Sequence, residues 1–146
     1  MPEKETLQRA RQDKREGKAA GTQAGEFVRE EIEHIREGKH GARSTKQAIA
    51  IGLSKARRAG VELPASKNAS EETKEQAKRD TRKARSSRKA TKSTKRSRAT
   101  LQALKREPRS AASKTALSRQ ASSAAKKRSA ASRSRAAKKA AATRKK

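Results

Sequence analysis

The last 66 residues of the chain, Thr81 to Lys146, constrain its fold more than any other stretch. They contain 12 Lys and 12 Arg but a single acid, Glu107, and most of the remainder is Ala, Ser and Thr. The only large apolar side chains in this stretch are Leu101, Leu104 and Leu117. Burying so few apolar groups does not offset the conformational entropy that folding removes. The sequence therefore predicts that this basic tail is disordered or only transiently helical.

The composition of the whole chain limits the folded part to a small unit. The 146 residues carry a formal net charge of +27, only 29% are hydrophobic, and Phe27 is the sole aromatic residue. The lack of Cys excludes disulfides and thiolate metal sites. No apolar run approaches the roughly 18 residues of a membrane span, and the first residues lack the apolar core of a signal peptide. We expect a mostly α protein with extensive disorder, located in the cytoplasm.

Residues 22–64 form the one stretch with the pattern of a folded domain. Four large apolar residues recur at helical spacing: Phe27, Val28, Ile32 and Ile35. Glu31 interrupts this face, and further glutamates lie on the opposite one. The pattern predicts a helix from Thr22 or Gly25 to about Glu37, with Gly38 just beyond its end.

A second helix is predicted by its end signals. Ser44 and Gln47 have the spacing of a capping box, and Gly60 followed by Pro64 predicts the end of the helix. Ala48, Gly52 and Ala56 place small side chains on one stripe, so another helix can approach closely. The two segments together predict a small helix-loop-helix hairpin.

The hairpin has too few large apolar residues to be comfortably stable alone. Domains this small usually need disulfides, a metal or a partner, so we expect self-association. The residues predicted to form a homodimer seam are Ile49, Gly52, Leu53 and Ala56. Ile51 points away from this seam, and is either a simply exposed residue or part of a surface for another partner.

The regions outside the hairpin divide by charge. Residues 1–21 are predicted to be a polar arm, residues 65–80 a hinge or the start of a third helix, and residues 81–146 the polycationic tail. Long helices are possible after residue 70, because Ser70 to Arg106 favours one helix once its charges are neutralised. Glu107-Pro108 is the predicted break. The five residues from Arg109 recur from Arg128, which we interpret as drift in a low-complexity tract.

The sequence offers little catalytic chemistry. His34 and His40 are the only imidazoles, and a metal site would have to pair them with Glu30, Glu33 or Glu37. Single exposed histidines are ordinary, and no glycine-rich phosphate loop is present. The sequence therefore predicts no metal, no cofactor and no enzymatic activity.

The basic tail is typical of proteins that bind a polyanion. Lys and Arg neutralise phosphates and release condensed counterions without reading the base sequence. The tail lacks the aromatic side chains that stack on unpaired bases, which favours duplex DNA over RNA loops or single strands. The predicted binding residues are Arg82, Lys83, Arg85, Arg88, Lys89, Lys92, Lys95, Arg96, Arg98, Lys105, Arg106, Arg109, Lys126, Lys127, Arg128, Arg133, Arg135, Lys138, Lys139, Arg144, Lys145 and Lys146.

Two resemblances support this interpretation. The tail resembles the C-terminal tails of linker histones and of the histone-like basic proteins of some bacteria. The stretch from Lys46 to Ile51 (KQAIAI), together with Ala56 to Gly60 (ARRAG), resembles a small domain of unknown function in basic bacterial proteins. Members of that group are often labelled putative DNA-binding or plasmid-stabilisation proteins. The second resemblance implies a bacterial origin and supplies no catalytic residues.

Three functions remain open at this point. The first is nonspecific binding and condensation of duplex DNA by a nucleoid-associated, histone-like protein. The second is an RNA- or ribosome-associated assembly factor. The third is an adaptor of the plasmid-stabilisation or partition type, in which the hairpin selects a partner and the tail adds affinity.

Overall fold

The computed structural model of the chain describes residues 1–86 and 93–144. In chain order the elements are α1 (Lys4–Arg15), α2 (Ala20–Arg36), α3 (Thr45–Arg58), α4 (Glu71–Arg85), α5 (Thr94–Arg106), a 3₁₀ turn (Arg109–Ala112), α6 (Lys114–Lys126) and α7 (Ala130–Arg144). No strand occurs within the two described ranges. The prediction of a mostly α protein is confirmed.

Helices α2 and α3 form the predicted hairpin. The hydroxyl of Ser44 accepts a hydrogen bond from the Gln47 amide at 3.2 Å. The side-chain oxygen of Gln47 accepts a hydrogen bond from the Arg43 amide at 2.7 Å. Arg43 is one residue before the position that the capping box predicts. Gly38 and Gly60 have φ angles of 78° and 97°, as expected for residues that end helices in a left-handed conformation.

The hairpin is tight because Gly52 faces α2 without a side chain. A Cβ built at Gly52 would lie 2.7 Å from the Cα of Val28, so the two backbones are nearly in contact. Ala48 and Ala56, one turn to either side, are fully buried. The stripe of small residues thus joins two helices of the same chain.

The core consists of two clusters on either side of this contact. One contains Phe27, Val61 and three alanines, Ala10, Ala24 and Ala56. The other contains Ile32, Ile35 and four alanines, which are Ala42, Ala48, Ala111 and Ala112. Most of the buried side chains are therefore small, and the core depends on close helix approach rather than on bulky groups.

The N-terminal arm is an ordered part of this core. Leu7 and Ala10 of α1 pack against the Phe27 cluster. The Glu3 amide donates to a carboxylate oxygen of Glu30 at 3.0 Å. Residues 1–21 are polar, as predicted, but over Lys4–Arg15 they are helical and packed on α2.

Helix α4 is attached to α3 through a buried carboxylate. Asp80 is fully buried and accepts hydrogen bonds from Ser54 at 2.6 Å and from Arg58 at 2.8 Å. The Ser70 hydroxyl accepts a hydrogen bond from the Thr73 amide and so caps the start of α4. Within residues 65–80, α4 begins at Glu71.

Part of the basic tail returns to the hairpin, and we call residues 104–117 the docking segment. Gly41 donates its amide to the Leu104 carbonyl at 2.8 Å, and Ala42 donates to Pro108 at 3.1 Å. The Thr45 hydroxyl donates to the Ala111 carbonyl at 2.7 Å, and the Arg36 guanidinium donates to the Ala112 carbonyl at 2.9 Å. Ala111 and Ala112 enter the Ile35 cluster, and Leu117 packs beside it.

The prediction of extensive disorder is therefore wrong for the described part of the tail. Three helices cover most of residues 94–144, and serine hydroxyls at positions 93 and 113 cap two of them. The chain is rich in Ala, Lys and Arg, which favour helix, and the docking segment adds tertiary contacts that composition does not reveal.

The ends of the tail helices agree with the predicted break, and the single helix predicted for Ser70 to Arg106 once its charges are neutralised stays a prediction. Helix α5 ends at Arg106, immediately before Glu107-Pro108. Helix α4 stops at Arg85 and α5 begins at Thr94, and residues 87–92 between them lie outside the described part of the chain. Among the described helices, none combines the length and the apolar character needed to cross a membrane.

Candidate nucleic-acid interface

The described part of the basic tail presents a dense set of exposed cations. Residues 93–144 contain sixteen Lys and Arg, all of them exposed, and a single acid, Glu107. Among the described residues, none of these sixteen forms an ion pair within the chain. Their charge is therefore uncompensated by the protein and available to an anionic partner.

Residues 1–80 have the opposite arrangement. They hold fourteen acids, and within the described residues only Glu72 makes no ion pair. A hydrogen bond from His34 and the nearby Lys39 ammonium lower the pKa of the Glu3 carboxyl. In turn, a hydrogen bond to Glu37 raises the pKa of Lys39. The structure thus separates a charge-balanced N-terminal unit from an unbalanced tail.

The predicted binding residues are distributed over four helices and a turn. The last turn of α4 carries Arg82, Lys83 and Arg85, and α5 carries Lys95, Arg96, Arg98, Lys105 and Arg106. The 3₁₀ turn begins with Arg109, α6 ends at Lys126, and Lys127 and Arg128 follow directly. Helix α7 carries Arg133, Arg135, Lys138, Lys139 and Arg144. The remaining five, Arg88, Lys89, Lys92, Lys145 and Lys146, lie outside the described residues. Lys114 and Arg119 of α6 were not among the predicted residues, although they are equally exposed.

Two of the predicted residues have contacts with the rest of the protein. Arg85 forms an ion pair with Glu62 at 3.0 Å. The guanidinium of Arg109 lies over Gly38, where a Cβ would meet its Nη1 atom at 3.1 Å. A cation there interacts favourably with the C-terminal end of α2. Arg109 therefore helps to hold the docking segment, beyond any role at a ligand.

Helix α7 has no side that belongs to the core. None of its residues is buried, and its five basic side chains extend into solvent. The helix consists mainly of Ala, Ser, Lys and Arg, and Ala has the highest helix propensity. It is suited to lie along a polyanion without losing contacts to its own protein.

A groove beside α4 extends the basic surface toward the hairpin. It has a volume of about 640 Å³ and runs between residues 63–67 and α4. Its lining includes Lys67, Lys78 and Arg82, together with the apolar side chains of Leu63 and Ala77. These basic side chains thus surround an open groove rather than an enclosed cavity.

The four residues of the predicted homodimer seam lie largely within the chain. Gly52 and Ala56 are buried against α2, while Ile49 and Leu53 are half-buried. Self-association through Gly52 and Ala56 would therefore require that α2 move away. Ile51, the other candidate for a partner surface, is half-buried next to Ser54 and Lys55.

The N-terminal unit also contains a buried charged cluster that the sequence only partly indicated. Glu30 and Glu31 are 3% and 1% exposed, and the Lys55 ammonium lies between their carboxylates. His40 contacts Glu31, and His34 lies within reach of both. From the sequence, the expected acidic partners of the histidines are Glu30, Glu33 or Glu37. The one sequence signal for Glu31 is that this acid interrupts the apolar face of α2.

The comparisons with known proteins concern the hairpin alone. Residues 13–68 match the model of a family described as a family of unknown function (DUF6496). The match covers the end of α1 together with α2 and α3 and stops before α4, so it leaves the whole basic tail outside. No curated protein and no solved structure matches the chain. The hairpin is thus similar to a domain of unknown function, as its sequence indicated, and no activity is attached to that domain.

Proposed function

We propose that the protein binds duplex DNA without sequence preference, through neutralisation of phosphates by its basic tail. The observation that carries the proposal is the segregation of charge. Sixteen exposed cations between residues 93 and 144 have no ion-pair partner in the described part of the chain, whereas almost every acid of residues 1–80 is paired. Such a surplus far exceeds what solubility requires.

The chemistry of the tail favours the phosphate backbone of a duplex as its ligand. The tail has neither Phe, Tyr nor Trp, so it lacks the platforms on which proteins stack unpaired bases. Its cations lie on Ala- and Ser-rich helices, on which Leu101 is the one large apolar side chain exposed among the described residues. Binding then depends mainly on charge density, which is highest for a double helix.

Two parts of the chain have different roles in this function. The hairpin, α1 and α4 form a packed unit, and the docking segment fixes the middle of the tail to it. Helices α5 and α7 lie on either side of this attachment, with no buried residue in either. One attached tail would thus present two basic arms, and this arrangement would bring neighbouring DNA segments together. In a bacterium the protein would be nucleoid-associated.

The test compares two variants that lose the same charge at different places. One changes Arg133, Arg135, Lys138 and Lys139 of α7 to Gln. The control changes Lys4, Arg11, Lys14 and Arg15 of α1 to Gln; these four are also exposed and have no ion-pair partner among the described residues. Fluorescence anisotropy with a random-sequence duplex at several salt concentrations measures binding.

The α7 variant should bind more weakly, and its salt slope should become shallower by up to about 3.6, which is 0.9 for each lost phosphate contact. The α1 variant should lose much less affinity. Equal losses in the two variants would refute the assignment to the tail. Addition of structured RNA as competitor tests the alternative of an RNA-associated factor, because preferential displacement by RNA would overturn the preference for DNA.

A further inference from the structure

We propose that Glu31, His34 and His40 form a site for a divalent metal ion, and that zinc is the ion that their chemistry fits best. One donor atom from each of the three residues lies within 4.8 Å of the other two. Glu31 and His34 are separated by three positions on α2, so both side chains lie on the same face of that helix. His40 comes from the loop between α2 and α3.

The spacing of two donors already suits a bound ion. The Nε2 atom of His40 lies 3.2 Å from Oε1 of Glu31. Two ligands bound at tetrahedral zinc, each about 2.0–2.1 Å from the ion, are roughly 3.4 Å apart. A zinc ion therefore needs almost no rearrangement of this pair, whereas the ring of His34, whose donor atom lies within 4.8 Å, has to move closer.

The hydrogen bonds of the histidines favour coordination. The Nδ1 atom of His40 lies 3.0 Å from the carbonyl oxygen of Gly41, which only accepts a hydrogen bond. The proton of a neutral ring is thus placed on Nδ1, and Nε2 presents a lone pair to the Glu31 carboxylate. Two acceptors face each other unless a cation or a second proton lies between them.

His34 has the outer partner that metal-binding histidines usually have. Its Nε2 atom lies 3.0 Å from Oε1 of Glu3. A carboxylate at one ring nitrogen orients the imidazole and increases the basicity of the other nitrogen, which then coordinates the ion. Glu3 precedes α1, so a bound ion would link the start of that helix to α2 through His34.

The charges around the site favour a cation. Glu31 is 1% exposed, and its Oε2 atom makes no hydrogen bond to the described residues, although the Lys55 ammonium lies beside it. The Lys55 ammonium is shared with Glu30, so one cation faces two buried carboxylates, and such an uncompensated buried charge is costly. The charged groups facing the site are three carboxylates, Glu3, Glu30 and Glu31, and two ammonium groups, Lys39 and Lys55. The acids are in excess by one.

The donor set also distinguishes between metals. Two imidazoles and one carboxylate suit zinc, whereas Mg²⁺ and Ca²⁺ prefer sites made of oxygen alone. Three protein ligands leave a fourth position for water. Since the neighbouring Gly41 holds the docking segment, a metal here would stabilise the loop on which the tail is fixed.

The experiment titrates zinc chloride into full-length protein that carries no affinity tag and has been treated with a chelator. Calorimetry should show one zinc ion per chain, and the melting temperature should rise in zinc. Cobalt should give the visible absorption of a four-coordinate ion. The variants Glu31→Gln and His40→Gln should bind zinc at least tenfold more weakly. The matched control is Glu33→Gln, an exposed acid on the same helix, which should bind as the unaltered chain does.

The two histidines of the unaltered protein give a direct measure of zinc binding that does not depend on whether a variant folds. No other imidazole is present in the chain, so both ring signals in an NMR spectrum report on this site. Zinc should shift both of them in proportion to the bound fraction. The proposal is overturned if one equivalent of zinc leaves the two rings unchanged, or if folded His40→Gln protein keeps full affinity.

Discussion

At the scale of single residues, Gly41 has the closest surroundings of the described glycines. A Cβ built there would overlap the carbonyl oxygen of Glu107 and would also crowd the carbonyl of Pro108. The φ angle of Gly41 is not positive, so the requirement for Gly arises from this close approach and not from the backbone conformation. The absence of one methyl group allows the docking segment to reach the loop.

Gly41→Ala should therefore destabilise the protein, by about 1–3 kcal/mol, because the docking segment has to move away. Gly25→Ala is the matched control, since no atom lies within 4 Å of a Cβ at that helical position. The control should be neutral or more stable by about 0.5–1 kcal/mol. Urea unfolding followed by circular dichroism measures both changes. If the two variants had the same stability, the close contact would not exist in solution.

Asp80 is the second residue whose role follows from its partners. Burial alone would raise the pKa of its carboxyl, but hydrogen bonds from Ser54 and Arg58 outweigh burial and lower it. The folded state therefore prefers the ionised form. This contribution to stability is complete above the pKa of Asp in the unfolded chain, about 3.9, and is lost as the pH falls through the lower folded value.

Asp80→Asn should cost about 1–3 kcal/mol at neutral pH, because it removes charge-assisted hydrogen bonds in a buried position. The loss should shrink in acid, where the carboxyl of the unaltered protein is protonated as well. Thermal unfolding between pH 2 and pH 7 gives the comparison. A difference in stability that does not depend on pH would contradict the ionised state assigned to Asp80.

At the scale of elements, the docking segment separates the tail into a structural part and an open part. A chain that ends at residue 129 keeps the segment, whereas one that ends at residue 103 exposes Ile35, Ala42 and Ala48. The shorter chain should unfold at a clearly lower temperature, and the longer one should melt almost as the full protein does. Calorimetry of the three chains decides this, and equal melting of all three would rule out the docking.

The hairpin could be predicted from the sequence because its signals are local. Capping by Ser44, the left-handed glycines and the spacing of Phe27 and Ile35 each involve residues close together in the chain. The docking segment could not, because Arg109 to Ser113 has the same five residues as Arg128 to Ser132. Only in the first copy are the two alanines buried, and the difference depends on contacts with Arg36 and Thr45, which are 76 and 66 residues away in the sequence.

In the candidate sites, too, some features could be predicted from the sequence and others could not. Exposure of the basic residues followed directly from composition, since a chain with so few apolar groups leaves its cations in water. The burial of Glu31 beside two histidines did not, because it depends on how α1 and the loop after α2 close over one helix face. The interruption of an apolar face by a charged residue was the only local indication.

At the scale of the whole molecule, binding by charge neutralisation predicts a dependence on salt but not on residue order. For the intact protein we expect a plot of log affinity against log salt with a slope steeper than about −8, which corresponds to about nine phosphate contacts at 0.9 each. A protein in which residues 130–146 are scrambled should bind a random duplex as well as the native one, and its slope should be the same. A large loss of affinity on scrambling would indicate that α7 reads a specific structure.

The attachment of the tail by residues 104–117 has a consequence for digestion by proteases. Trypsin cleaves after Lys and Arg. Its sites from Lys126 onward lie at the end of α6 and in α7, where every Lys and Arg of the described residues is exposed. These residues should be removed first, leaving a fragment that ends at Lys126. A cut after Lys95, Arg96 or Arg98 in α5 should leave two polypeptides that stay together, because four hydrogen bonds and two buried alanines still hold the docking segment. Native mass spectrometry would then record the nicked protein at nearly its uncut mass, while a denaturing gel would show two pieces.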